Sequence, residues 1–194
     1  MFVWLCICRF KDIIIFKENI RSVFLNNKVY HYSREVLLME NLMNVASYIC
    51  NRYLEEYGSR IDEMKLHKLL YLSQRESLIQ NREPLFAAVF YSWKYGPVIK
   101  EMRSIYRDNL FYSEIPKDIV SHMLSIMNKI FEKYAGKDSW SLSRLTHGEF
   151  SWKNSRRGVP DGENGDNPMK IDDIKVDADR IRERREMLLK LGLS

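Results

Sequence analysis

The sequence predicts a mainly α-helical, compact single domain, a multi-helix bundle with at most a short β-hairpin or extended segment around residues 85–95. Three observations support this fold class. The length of 194 residues suits one domain, since single domains commonly reach about 100–200 residues. Apolar residues recur with spacings of three and four along several stretches, which is the helical pattern. Finally, 45% of the residues are apolar and 29% are charged, which provides enough apolar surface to bury a core and excludes a disordered or fibrous chain.

Each of these apolar patterns is flanked by a residue that commonly begins or ends a helix. Gly58 follows the first pattern as a C′ residue, Asp62 can cap the second, and Pro116 suits the first position of a later helix. Ser139 is predicted to cap a short fifth helix. The predicted helices cover residues 40–57, 62–79, 98–108, 116–134 and a short stretch after Ser139.

Residues 85–93 form the one aromatic-rich stretch without helical period. Its residue types suit a strand or an extended segment, and Asn81–Pro84 separates it from the helix before it. Gly96 and Pro97 form a structural turn that ends it. We therefore expect a short β element between the second and third helices.

Composition divides the chain into four segments. They are a leader (1–38), a helical core (39–152), a Gly/Pro-rich loop (153–170) and a charged C-terminal helix (171–194). The leader fits neither a helix nor a strand pattern. We expect it to be translated upstream sequence, with Met39 as the natural start, or to be poorly ordered. The last helix has a thin apolar stripe that Arg185 interrupts, so we expect it to dock on the surface or to await a partner.

Charge and cysteine content restrict the cellular compartment in which we expect the protein and the partners that we expect it to bind. The net charge is +5, but residues 39–194 contain 25 basic and 23 acidic residues. A nearly balanced body gives no general electrostatic reason to bind a polyanion. The three cysteines are not arranged as a disulfide framework, and no apolar run approaches the roughly 18 residues of a membrane span. We expect a cytoplasmic protein without a membrane partner.

Catalytic and metal-binding signatures are missing from the sequence. It has no glycine-rich phosphate loop, no nucleophile elbow and no His-Glu-x-x-His motif. The four histidines lack metal-ligand spacing, and the acidic segment 161–166 fits a solvated turn better than a calcium loop. A hydrolase that uses His147 and Glu149 is the least favoured hypothesis, since no matched nucleophile accompanies them. We expect no enzyme activity, no cofactor and no metal.

Three local clusters remain as candidate partner-binding sites. They are Met64–Tyr71, Trp93–Val98, and Leu142–His147 followed by Trp152 and Arg156. In the first cluster the leucines are expected in the core, with Lys65 and Lys68 projecting elsewhere. In each cluster, packing in the core is the alternative to recognition of a partner. The candidate partner-binding residues are Lys68, Tyr71, Trp93, Lys94, Tyr95, Thr146, His147, Trp152 and Arg156.

Taken in order, these clusters resemble the SocA-like antitoxin domain, also called the Panacea domain, of bacterial and prophage proteins. The resemblance covers roughly residues 40–160, which leaves the leader and the charged C-terminal helix outside it. It rests on Met64-x-Leu66-x-Lys68-Leu69-Leu70-Tyr71, Pro84-Leu85-Phe86, Trp93-Lys94-Tyr95-Gly96-Pro97-Val98, Leu142-Ser143-x-Leu145-Thr146-His147 and Trp152.

The resemblance implies a compact helical domain, without a cofactor, that neutralises a toxin encoded beside it. Neutralisation by direct binding is the leading hypothesis. The first alternative is an adaptor that delivers the toxin to a host protease. A second alternative is a single-stranded nucleic-acid-binding prophage protein, in which Trp93, Tyr95 and Trp152 stack on bases. Nucleic acid is the less favoured partner because the body is nearly balanced in charge.

Overall fold

A computed structural model describes residues 27–109, 111, 115 and 117–193, with side chains from Leu42 onward except that of Asp118. The predicted mainly helical fold with a short hairpin is confirmed, and Val36–Ser194 form one compact unit. None of the helices that the structure describes is long and apolar enough to span a membrane. The elements are α1 (Asn27–Tyr57), α2 (Glu63–Asn81), β1 (Tyr91–Trp93), β2 (Gly96–Val98), α3 (Lys100–Arg107), α4 (Lys117–Ile130) continued by a π-helical turn (Phe131–Ala135), α5 (Ser139–His147), α6 (Phe150–Ser155) and α7 (Ile171–Lys190).

Helix α1 begins before the predicted position and ends where the sequence indicates. It starts at Asn27 rather than at residue 40, so the described part of the predicted leader from residue 27 onward is helical. Residues 1–26 of the leader lie outside the described residues. Gly58 follows α1 with a φ of +66°, the left-handed conformation in which glycine commonly ends a helix.

Two aspartates cap helices, one of them at an unpredicted position. Asp62 Oδ1 accepts a hydrogen bond of 2.8 Å from Lys65 N, as expected of the cap of α2. Helix α5 is capped by Asp138, whose Oδ1 accepts from Ser141 N at 2.8 Å, and the prediction that Ser139 caps it was wrong. Ser139 Oγ instead donates to Asp62 Oδ2 at 2.6 Å. Asp138 lies one residue earlier and takes the extended conformation that a cap requires.

Helix α2 lies at the centre of the fold. Helices α4, α5 and α7 and strand β2 pack around it, and every residue from Lys65 to Ile79 is buried. The expectation that Lys65 and Lys68 project away from the core was therefore wrong, because the helix has no solvent-facing side along this length. Buried polar groups need hydrogen bonds, and Lys65 Nζ donates to Tyr53 Oη at 2.8 Å.

The β element is a hairpin, shorter than the predicted extended stretch, and its two-residue turn is Lys94–Tyr95. The prediction that Gly96 and Pro97 form the turn was wrong, because both residues pair with β1 as part of β2. Strands β1 and β2 are antiparallel, with Tyr91 opposite Val98 and Trp93 opposite Gly96. Before β1, Gln74 of α2 holds the chain: its Oε1 accepts from Leu85 N at 2.9 Å and its Nε2 donates to Phe86 O at 2.9 Å. The preceding residues are thus fixed by a side chain rather than by strand pairing.

The Gly/Pro-rich loop runs along the outer edge of β1. Met169 N donates to Phe90 O at 2.7 Å, and Gly165 N donates to Ser92 O at 3.3 Å. Pro168 forms a bridge with Tyr91. A Cβ on Gly165 would lie 2.8 Å from the Ser92 carbonyl oxygen, closer than atoms pack, so glycine permits this approach. The loop therefore covers backbone groups that would otherwise form an open strand edge.

Helix α7 is docked on α2 through polar anchors as well as its apolar stripe. The buried carboxylate of Asp177 accepts from Phe150 N at 2.7 Å and Ser151 N at 2.8 Å, at the start of α6. Arg185 forms two hydrogen bonds with Glu76 of α2, of 2.9 and 2.8 Å. Arg185, which interrupts the stripe in the sequence, is thus an attachment point in the structure.

Candidate partner-binding site

Four main-chain carbonyls of the β1–β2 hairpin accept hydrogen bonds from side chains of the surrounding helical core. The donor and acceptor pairs are Lys68 Nζ to Pro97 O (3.1 Å), Ser143 Oγ to Tyr95 O (2.9 Å), Trp152 Nε1 to Trp93 O (3.2 Å) and Arg156 Nη1 to Ser92 O (2.9 Å). All four bonds end on backbone oxygens, so they fix the path of the hairpin whatever side chains its turn carries. The clusters found in the sequence therefore meet in space around one hairpin.

Gly96 lies where the hairpin comes closest to the core. Its φ is +102°, a conformation that side-chain-bearing residues rarely adopt. A Cβ at this position would lie 2.6 Å from Lys68 Cε and 2.6 Å from Thr146 Oγ1. Both neighbours are buried, and Thr146 Oγ1 also donates to Ser143 O at 3.0 Å. Glycine is thus required both by backbone conformation and by space, and the following Pro97 is buried too.

The environment under the hairpin disfavours positive charge. Burial lowers the pKa of Lys68 from 10.5 to about 7, and a nearby carboxylate, Asp62, offsets this only in part. Burial also lowers the pKa of His147, and the positive charges of Lys68 and Arg156 lower it further. A cation is costly where water cannot solvate it.

Trp152 of α6 and Arg156, which directly follows α6, contact other parts of the chain. The His147 and Trp152 rings are stacked, with centroids 4.0 Å apart and an interplanar angle of 13°. The guanidinium of Arg156 lies 5.1 Å from the Trp152 ring centre. It also donates to the carbonyls of Pro160 at 3.1 Å and Glu163 at 3.0 Å. These contacts join α6 to the loop and to β1, so Arg156 has a structural role in this arrangement.

The hairpin turn carries the exposed part of the site. Tyr95 is 44% exposed and meets Trp140 of α5 edge to face, with ring centroids 5.2 Å apart. Trp140 is 56% exposed, unusually high for so large an apolar side chain. Lys94 and Arg144 are exposed beside them. We call these four residues, Lys94, Tyr95, Trp140 and Arg144, the tip patch.

Trp140 and Arg144 were not among the nine candidate partner-binding residues, although Arg144 lies within the Leu142–His147 cluster. Trp140 stands near the start of a short helix, and nothing in its local pattern distinguishes a core tryptophan from a surface one. The available signal was its spacing from Leu142 and Leu145. Residues two positions apart lie on different sides of a helix, so a tryptophan two residues before a buried leucine is expected to face away from the core.

Residues 66–153 match the family model described as the antitoxin SocA-like, Panacea domain. This segment is similar to the Panacea domain. The resemblance stated from the motifs is thereby confirmed, and the match extends from α2 into α6. Searches of curated proteins and of solved structures found no match.

The nine predicted partner-binding residues occupy three kinds of position in the structure. Lys68, Tyr71 and Thr146 are fully buried, and Tyr71 Oη lies 2.9 Å from Ser151 Oγ in the core. Lys94 and Tyr95 are exposed. The half-buried ones are Trp93, His147, Trp152 and Arg156. Their role in binding a partner stays a prediction, and only the exposed ones offer a partner most of their surface.

The Trp93 side chain contacts α3, whereas the Tyr95 side chain meets α5. The Arg103 guanidinium lies 4.9 Å from the Trp93 ring centre. Together with Glu63 and Tyr106 they line a surface cleft of about 560 Å³. Arg103 Nε donates to Glu63 Oε1 at 2.8 Å, and Lys100 and Arg107 also line the cleft.

His147 and Glu149, the two residues of the hydrolase hypothesis, contact different partners. Glu149 pairs with Arg75, and burial raises the pKa of its carboxyl to about 7, with the nearby Asp177 adding to the rise. His147 Nε2 lies 3.4 Å from Ser143 Oγ, but that hydroxyl donates to Tyr95 O. No group of three His, Cys, Asp or Glu residues in the described ranges is placed to hold a metal ion.

Proposed function

We propose that this chain is an antitoxin that neutralises a cognate toxin in the cytoplasm by direct protein–protein contact, without catalysis. The match to the Panacea domain supports a role in a toxin–antitoxin system. The observation that carries the direct-binding mechanism is the hairpin, whose backbone is held at four carbonyls while Tyr95 and its neighbour Trp140 are left exposed.

This geometry suits recognition for an energetic reason. A partner that binds a flexible loop must order it, which reduces affinity, whereas a loop that is already fixed avoids that loss. Tyrosine, tryptophan and arginine are also the residues that most often dominate the energy of protein interfaces. The tip patch contains one of each, together with Lys94. A rigid backbone that presents these side chains therefore favours a binding protein.

The nucleic-acid alternative has weaker support. A base-stacking clamp needs aromatic rings that are open to bases. Trp152 instead stacks on His147, and Arg156 is bonded to three backbone carbonyls of the protein. Arg103 lies over Trp93. The predicted clamp residues thus have partners within the chain.

Growth rescue tests the proposal. The protein encoded next to this chain is expressed from an inducible promoter, with and without this chain, in wild-type cells and in strains that lack each ATP-dependent protease. Direct neutralisation predicts rescue in every strain and a stable complex of the two purified proteins. Rescue that disappears with one protease would instead support the adaptor alternative, and no rescue in any strain would contradict an antitoxin role for this gene pair.

Two equally exposed side chains provide a matched pair of variants. Trp140 is 56% exposed and Met187 of α7 is 57% exposed. Trp140→Ala should abolish or strongly reduce rescue while the protein still accumulates, and Met187→Ala should leave rescue intact. The reverse result would place the contact on α7 rather than at the hairpin.

A further inference from the structure

We infer that the tip patch recognises an acidic segment of the partner, one in which carboxylates flank an apolar side chain. This inference rests on the proposed function, since it names the chemistry of the toxin surface that the antitoxin would contact. It is drawn from the charges and rings that surround Tyr95 and Trp140.

Exposed cations adjoin both rings of the patch. Lys94 adjoins Tyr95 in the sequence, and Lys137 and Arg144 lie within four residues of Trp140; all three are exposed. Asp138 is the one acidic residue within four positions of Trp140 in the chain. Its carboxylate is already engaged by Ser141, whose N and Oγ donate to it at 2.8 and 2.6 Å. It keeps its negative charge, and Asp62, which accepts from Ser139 Oγ, and Glu163, the neighbour of the Asn164 that accepts from Lys94 N, are further acidic residues on the contacting segments. The cations that adjoin the two rings, Lys94 and Arg144, are the groups that can attract an anionic partner.

The cations stand close to the aromatic rings. Lys94 Nζ lies 5.1 Å from the centre of the Tyr95 ring. Arg144 follows Trp140 by four residues on α5, which places the two side chains on the same face of the helix. Its Nη2 donates to Ser141 Oγ at 2.9 Å, which keeps the guanidinium near the start of α5. A partner that covers the rings with an apolar side chain therefore brings its neighbouring residues against Lys94 and Arg144.

Carboxylates suit these cations better than a nucleic-acid backbone does. Arginine pairs with carboxylates through parallel hydrogen bonds, and this needs only one or two acidic residues. A nucleic acid is usually held by a positively charged groove that follows the backbone over several nucleotides. The patch offers a small cluster of charge, and its two rings contact each other edge to face. The proposal is therefore an acidic segment of a protein.

Peptide titration tests this chemistry without requiring the toxin. The protein is labelled with ¹⁵N, and the indole N–H signal of Trp140 is identified by its loss in Trp140→Phe. The probes are a short peptide of glutamate and phenylalanine, the same peptide with lysine in place of glutamate, and a short oligothymidine. We expect the acidic peptide to shift the Trp140 signal and to bind more weakly as salt is added.

Matched charge reversals complete the test. The double variant Lys94→Glu/Arg144→Glu should weaken binding of the acidic peptide by about tenfold or more. Arg184→Glu/Lys190→Glu makes the same change of net charge at exposed positions of α7 and should change it by less than about twofold. Any one of four results would overturn the inference. They are an absent Trp140 shift, an equal response to the lysine peptide, a stronger response to oligothymidine, and equal losses of binding in both double variants. Growth rescue is scored separately, so failure of the antitoxin role and failure of this surface chemistry are distinguishable.

Discussion

Lys68 donates a hydrogen bond of 3.1 Å to the carbonyl oxygen of Pro97 from a position where the lysine is 1% exposed. The bond joins the central helix to the second strand of the hairpin. It also places an amine where charge is costly, which makes the stability of the hairpin depend on pH.

Lys68→Met should change how stability depends on pH. The pKa of Lys68 falls from 10.5 to about 7 in the folded state, so between these values the unfolded chain binds a proton that the folded chain lacks. Stability therefore rises with pH across this window, by up to about 1.4 kcal/mol per pH unit, and is lost as the pH falls toward 7. Urea unfolding at several values between pH 7 and 9 should show a rising stability in the wild type and a smaller slope in Lys68→Met. Above pH 9 the burial of Cys50, which raises the pKa of its thiol from 9.0 to about 12, contributes the opposite slope. Lys190→Met, at an exposed position, should keep the wild-type slope.

Gly96→Ala should destabilise the protein more than Gly162→Ala. Both glycines have positive φ, +102° and +86°, so both substitutions strain the backbone by about 1–3 kcal/mol. At Gly162 nothing lies within 4 Å of the new Cβ, whereas at Gly96 Lys68 and Thr146 lie at 2.6 Å. We expect overpacking to add about 1–3 kcal/mol at Gly96 alone. Equal melting temperatures for the two variants would contradict the close packing of the hairpin on the core.

Arg185→Ala should loosen α7. The substitution removes both hydrogen bonds to Glu76, whose side chain is 2% exposed, and leaves Lys129 and Gln80 as its remaining partners. Loss of the partner of a buried carboxylate should cost about 1–3 kcal/mol in the free energy of unfolding. Amide hydrogen exchange along α7 should accelerate in this variant and not in Arg184→Ala, its exposed neighbour. Fast exchange along α7 in the wild type would show that the anchors contribute little.

Trp93→Ala and Tyr95→Ala should affect the protein in different ways. Trp93 is half-buried and packs under Arg103, so its truncation should lower the melting temperature, with a cost below the about 3–5 kcal/mol of a fully buried tryptophan. Tyr95 is exposed, and its truncation should cost less than about 1 kcal/mol in stability while weakening toxin binding by about 1–3 kcal/mol. Thermal unfolding combined with a binding titration separates the two effects. Equal thermal destabilisation would identify Tyr95 as a packing residue.

The helices could be predicted because their signals are local. Helical spacing, the Asp62 cap and Gly58 depend on residues a few positions apart, and the structure agrees with them closely. The Asp138 cap was missed because Asp138 and Ser139 are both good capping residues in adjacent positions, and the choice depends on a contact with Asp62, far away in the sequence.

The surroundings of α2 could not be predicted in the same way. An amphipathic pattern indicates which side of a helix meets the core, but a helix that is enclosed on all sides also buries its polar residues. The hydrogen-bond partners of the buried Lys68 and Arg75 come from distant positions in the chain: Pro97 O for Lys68, and the side chains of Glu149 and Tyr134 for Arg75. The exposure of Trp140 has the same origin, since it depends on where the hairpin turn lies over α5.

The four bonds that hold the hairpin end on backbone oxygens, and backbone oxygens are the same in every residue type. Folding of the turn and recognition by the turn are therefore encoded by different side chains. Lys94 and Tyr95 can be exchanged without loss of the bonds from Lys68, Ser143, Trp152 and Arg156. An antitoxin built in this way can follow changes in its toxin through substitutions at the turn and on the facing surface of α5, and new pairings can evolve on an unchanged scaffold.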